Sequence, residues 1–178
     1  MNLEKLFWSK TKVDILKYLI FRRQWVSMRA LETDLWWTFP AIKKQVDVLE
    51  EAQLISILKE STGWSISLRS EFWSLLKELF FLALKQQLID KFQEQGERIL
   101  QYFWWDKFGK PIGMDIILIY DEEKKWNIDA LKTAISEIFR EYRIESVSVV
   151  FMGADEREKR YRLADRFVLQ VMRHYNTH

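Results

Sequence analysis

A chain of 178 residues with 48% apolar content has room for one or two small domains and for a packed core, which excludes a disordered polymer. It holds no cysteine and only two histidines, His174 and His178, which excludes disulfides and thiolate metal sites and leaves no basis for a histidine metal cluster or triad. Net charge is +2, yet residues 1–70 carry 11 Lys/Arg against 8 Asp/Glu while residues 71–178 carry 17 against 18, so the basic excess sits in the N-terminal third, where it suits a polyanionic partner.

Ser9 is a natural N-cap for a helix running to about Arg22, with Val13, Leu16, Leu19 and Ile20 on its apolar face. Ser27 caps a second, short helix from Met28 to about Leu35. Thr38 caps a third, from Phe39 to about Glu51, with Pro40 in the first turn, where a missing N–H costs nothing. Ile42, Val46 and Leu49 recur at i, i+4 and i+7 and form one buried stripe. The period then changes to two. Residues 54–59 and 64–68 read as strands joined by the turn Glu60-Ser61-Thr62-Gly63. Three helices and a hairpin in this order match a winged helix-turn-helix over residues 1–70.

A long helical segment spans about 71–95 and closes near Gly96. Leu75, Leu76, Leu79, Phe80, Leu82, Leu84 and Leu88 exceed what one narrow stripe needs. Two readings stand: a linker packed on both flanking domains, or a dimerisation helix. After it, strand and helix alternate. Residues 98–103 and 147–151 read as strands, and 114–120 as a buried central strand, being almost continuously apolar. Residues 128–142 read as an amphipathic helix, and a helical tail from Ala154 breaks before Asp165. The expected class is therefore α+β: residues 1–70, a helix over 71–96, and a small α/β domain over 97–178. No apolar run approaches the roughly 18 residues of a membrane span. Met1-Asn2-Leu3-Glu4-Lys5 lacks the cationic and apolar order of a signal peptide. A cytoplasmic location is expected, with no cofactor.

The stretch Leu6-Phe7-Trp8-Ser9-Lys10-Thr11-Lys12-Val13 resembles the opening of a family of prokaryotic winged-helix transcriptional regulators. Phe39-Pro40-Ala41-Ile42-Lys43-Lys44 is similar to that family's recognition helix, and Leu49-Glu50-Glu51-Ala52-Gln53-Leu54-Ile55 to its turn into the wing, where glycine is usual at the position of Gln53. Such regulators often carry a nucleotidyltransferase-like domain behind the winged helix. Asp115-Ile116-Ile117-Leu118-Ile119 resembles that domain's central strand, and Asp165-Arg166-Phe167-Val168 a recurring segment near its end. The resemblance covers nearly the whole chain through the order of its motifs.

A nucleotidyltransferase needs paired carboxylates to hold divalent metal beside a triphosphate. The usual glycine pair, spacer and Asp-x-Asp or Asp-x-Glu here reads Trp104-Trp105, nine residues, then Asp115-Ile116-Ile117. The second acid is Ile117, and Glu145 lies just before the third strand. A degenerate domain with no catalytic and no metal-binding residue is expected.

Nine tryptophans against five glycines invert the usual ratio. Trp8, Trp36-Trp37, Trp64, Trp104-Trp105 and Trp126 fall in or near turns, where glycine is the favoured residue. One reading is that many of these are UGA codons read as glycine in the native organism. The other is a protein that uses aromatics for packing or stacking.

The resemblance implies a DNA-binding regulator with helix 39–51 in the major groove and the wing 55–68 on the flanking backbone. Thr38, Phe39, Pro40 and Ala41 lie at the end of the helix that meets base edges, and Lys43 and Lys44 suit phosphate or guanine. Ser27 and Arg29 are placed to anchor the backbone, as are Lys59, Ser61 and Thr62 in the wing, while Arg22 and Arg23 add charge. The expected partner is double-stranded DNA, with a homodimer formed through 71–96 or the C-terminal domain and no membrane. Two other readings stay open: a winged helix that docks protein, and an active nucleotidyltransferase.

Overall fold

A computed structural model describes residues 2–22, 25–60, 63–106, 114–124, 127–145 and 147–175. The fold is mixed α+β. The chain divides into two compact units, Met1–Gln87 and Leu88–His178.

The first unit opens with α1 (Leu3–Phe7) and α2 (Lys10–Phe21). Asn2 caps α1 by accepting from the Lys5 N–H at 2.9 Å, and Ser9 caps α2 by accepting from Lys12 at 3.2 Å. The strand β1 (Val26–Ser27) leads into α3 (Met28–Leu35), whose cap is the Ser27 hydroxyl oxygen, 3.1 Å from the Ala30 N–H. The helix α4 (Phe39–Glu51) follows, then β2 (Ile55–Glu60) and β3 (Gly63–Leu68). These strands form an antiparallel sheet in the order β1-β3-β2. The sequence pattern marks neither α1, which is one turn long, nor β1, whose two residues are too few for a period.

Side chains spaced for burial are buried. Val13, Leu16, Leu19 and Ile20 of α2 are buried, as are the stripe Ile42, Val46 and Leu49 of α4, Leu31 and Ile66, and α2 packs on α4. Polar ties fix the helices to one another. The Tyr18 hydroxyl donates to Asp34 Oδ2, the Arg22 guanidinium lies over the Tyr18 ring, and Trp37 Nε1 donates to Asp14 Oδ2 at 3.0 Å. Thr38 departs from expectation: it has N-cap backbone geometry but makes no side-chain cap bond, and Pro40 in the first turn already removes one N–H that would need a partner.

The helix α5 (Ser70–Gln93) crosses the boundary between the units. Its first part adds Leu76, Phe80, Ala83 and Leu84 to the first unit's core, with Phe80 and Phe81 against the rings of Phe7 and Phe21. The helix stops at Gln93, short of the expected end at 95. Glu94 and Gln95 turn off it, and Gly96, at φ +60°, opens a 3₁₀ turn, Gly96–Arg98.

In the second unit, β4 (Ile99–Asp106) pairs antiparallel with β5 (Met114–Tyr120), and β5 pairs parallel with β6 (Val149–Gly153). The connection between the parallel strands carries α6 (Ile128–Glu141), capped by Asn127 at 2.9 Å from the Ala130 N–H. Ile116, Ile117, Leu118 and Ile119 of β5 are all buried, as a strand covered on both faces requires. Ile117 and Ile119 pack with Phe103, Met152 and Val168. Leu131, Ile135, Ile138 and Phe139 form the buried face of α6, and Tyr142 at its C-cap is buried too. The tail is α7 (Ala154–Arg162) and α8 (Arg166–Tyr175), with the break where expected. The outer strands run differently from the sequence reading: β4 extends to Asp106 and β6 begins at Val149.

Candidate nucleic-acid interface

Burial of Ile42, Val46 and Leu49 fixes how α4 is turned. Lys44, Asp47 and Val48 are exposed, and Ala41 and Lys43 sit half-buried at the margins. Thr38, Phe39 and Pro40 are exposed at the N-terminal end. No acid occupies the first turn of α4, so the partial positive charge of the helix end stands unopposed by its own side chains.

The lysines of this face differ in freedom. Lys43 Nζ is 2.7 Å from Asp47 Oδ2, one turn along the helix, and 5.4 Å from the centroid of Trp64. Lys59 Nζ lies 5.1 Å from the same ring. One indole thus stands beside a lysine of α4 and a lysine of the β2–β3 hairpin. Lys59 and Trp64 are direct cross-strand partners. The sequence reading puts Trp64 at the start of the returning strand, beside the turn, without a role at the interface. The signal that places it lay in the hairpin register, because a four-residue turn over 60–63 sets residue 59 opposite 64. Lys44 makes no ion pair or hydrogen bond with any described residue, and neither does Arg29, exposed on α3.

The remaining expected contacts divide. Ser27 is exposed but its oxygen is committed to capping α3. Arg22 is drawn toward Asp34, its Nε 3.9 Å from Oδ2, and so belongs to the unit's own framework. Ser61, Thr62 and Arg23 lie outside the described residues. The structure therefore brings Thr38, Phe39, Pro40, Ala41, Lys43, Lys44 and Lys59 to one region through α4 and the hairpin.

In the second unit, Ile117, which the resemblance aligned with a second metal-binding acid, is buried among apolar side chains. Glu145 is exposed, four residues before β6. Among the described residues no group of three His, Cys, Asp or Glu side chains is placed to hold a metal ion. No described helix is long and apolar enough to cross a membrane.

No family model matches the chain, and no curated protein matches it. Among solved structures it is similar to a mutant of ZitR from Lactococcus lactis, at 22% identity and a TM-score of 0.40, over 49% of this chain and 60% of that one. It is also similar to the transcriptional regulator BldR from Sulfolobus solfataricus, at 23% and 0.38, over 55% of this chain and 80% of that one. A third likeness is to EscJ, a type III secretion system protein of enteropathogenic E. coli, at 12% and 0.30, over 63% and 92% of the two chains. The chain spans 60% of the ZitR chain's length, and at these TM-scores the reading of the site rests on its own residues.

Proposed function

We propose that the first unit is a winged helix that binds duplex DNA, with α4 in the major groove and the β2–β3 hairpin on the flanking backbone, in a transcriptional regulator. The observation that carries this reading is that Lys43 and Lys59 both lie against the Trp64 ring, so a cation of the helix and a cation of the hairpin are neighbours. Thr38 to Ala41 then meet base edges, and Lys44 and Arg29 take phosphates. A gel shift on random duplex across a salt series tests it. Affinity should fall steeply as salt rises, because phosphate contacts release counterions. Absence of any salt-dependent complex would remove the proposal.

Phe39, Val48 and Leu58 are exposed on the same elements, which favours a second reading in which this surface docks protein. That surface would bind with little salt dependence.

The second unit is read as a nucleotidyltransferase-like domain without the chemistry, supported by the apolar burial of Ile117. Titration with nucleoside triphosphate and Mg²⁺ should leave its melting temperature unchanged. The part of α5 that exposes Leu75 and Leu82 is read as the contact between two copies of the chain.

A further inference from the structure

The two most exposed large apolar side chains among the described residues are Trp8 and Trp36, at 90% and 91%. Both also have left-handed backbone, with φ 56° and 59°. Each is the residue on which a helix ends: Trp8 closes α1, and Trp36 closes α3 with its N–H donating to Glu32 O at 3.1 Å. This is the helix-end position where glycine is favoured, because a Cβ meets the following carbonyl there. A bulky residue at positive φ is an outlier that normally requires packing to hold it. Here neither indole gains any burial. At both positions the backbone suits a residue without a side chain and the side chain does nothing.

The other tryptophans of the same sequence pattern behave differently. Trp37 donates its Nε1 to Asp14. Trp64 has two lysines against its ring. Trp104 packs against Phe92 and Tyr102 at 6.1 and 5.9 Å. None of the three has positive φ. At these three places the backbone gives no reason for glycine, while the side chain of Trp105 and the whole of Trp126 lie outside the described residues. Gln53, Arg143 and Ala164 also take positive φ, so the chain tolerates side chains in left-handed turns. Trp8 and Trp36 differ in carrying the largest side chain of the five and leaving it 90% and 91% exposed, and UGA is a codon read as stop, tryptophan or glycine in different genetic codes.

We infer that positions 8 and 36 are glycine in the protein as its own cell makes it, each encoded by UGA. The turn between α3 and α4 then carries one indole, that of Trp37, which is tied to Asp14. The inference stands independently of what α4 binds.

The test reads codons 8 and 36 in the gene and the masses of the two peptides from protein isolated from the native cells. UGA codons with glycine-mass peptides are expected. UGG at either codon, or tryptophan-mass peptides despite UGA, overturns the inference. A melting comparison on the full chain with tryptophan at all nine positions checks the physical argument. W8G and W36G should each raise the midpoint by about 2–4 °C, the scale of relieving roughly one left-handed side chain in a chain of this size. W37G, which removes a packed and hydrogen-bonded ring, should lower it. Lowered midpoints for W8G and W36G would overturn the argument from strain.

Discussion

At the scale of single residues, charge count and available charge are different quantities. Lys43 and Lys44 are neighbours in sequence and were indistinguishable as phosphate ligands, but the helix sends them to different partners. Lys43 is held by Asp47 at 2.7 Å, while Lys44 is exposed and makes no ion pair with any described residue. An exposed pair of this kind contributes little stability, so its effect falls on binding. Lys44→Ala should weaken duplex binding and reduce the slope of log affinity against log salt by about 1. Lys43→Ala should do less, because Asp47 already offsets that charge. Asp47→Ala should tighten binding and steepen the slope, since it frees Lys43 and removes an anion from the face proposed to meet phosphate. Titrations at several salt concentrations check all three. Equal effects of Lys43→Ala and Lys44→Ala would show that the ion pair does not persist in solution. Tyr142 poses a separate residue-scale question. Burial first, and the nearby Glu141 charge second, push its hydroxyl well above the ordinary tyrosine range. A folded state that resists ionisation is fully favoured below the unfolded pKa of about 10 and loses that advantage as pH rises beyond it. Denaturation of the second unit should therefore become easier above about pH 10, and Tyr142→Phe should flatten the dependence. An unchanged alkaline slope in that variant would assign the loss to other groups.

At the scale of elements, the local signals that proved readable were those enforced by burial. The i, i+4, i+7 spacing of Ile42, Val46 and Leu49 has one physical solution, a helix with that stripe inward, and all three side chains are buried. Ile42→Ala should cost about 2–4 kcal/mol in chemical denaturation, as removal of a fully buried branched side chain does. Val48→Ala, on the outer face of the same helix, should stay within about 0.5 kcal/mol. Equal losses would mean the helix is rotated from this orientation. Caps were equally legible where a short polar side chain precedes an apolar period, as at Ser9 and Ser27, whereas the Asn2 cap of α1 was not, because that helix is too short to show a period. The strand β1 is defined by its partner, since Val26 and Ser27 become a strand only by pairing with Ile66 and Ser65, and no local pattern encodes that. The Lys43–Trp64–Lys59 arrangement is of the same kind. Its β half follows from hairpin register, but its helical half depends on how α4 packs against the sheet. Sequence alone likewise could not sort the tryptophans, because turn propensity is a property of φ, and φ separates Trp8 and Trp36 from Trp37, Trp64 and Trp104.

At the scale of the whole molecule, the balance of +3 over residues 1–70 against −1 over 71–178 suits a basic head joined to a body that does not compete for DNA. One head with a few phosphate contacts binds weakly at physiological salt, so pairing of two copies is what would give a regulator its affinity. In α5, Leu75 and Leu82 are 65% and 58% exposed and lie seven residues apart, on one face of the helix. Two exposed leucines one heptad apart give a face on which such a helix can meet its own copy. A twofold dimer presents two α4 helices to two half-sites on one duplex, and the second head then binds at an effective concentration that can raise affinity by about 10²-fold or more. Leu75→Glu with Leu82→Glu replaces only exposed side chains, so the unit should fold with its melting temperature little changed. Sedimentation equilibrium should show a dimer for the original chain and a monomer for this variant. The variant should keep the binding of one head to a single half-site while losing the gain on duplex carrying two. A chain that sediments as a monomer at all concentrations would leave each head to act alone, and the leucine pair would then have to be explained by something other than a second copy.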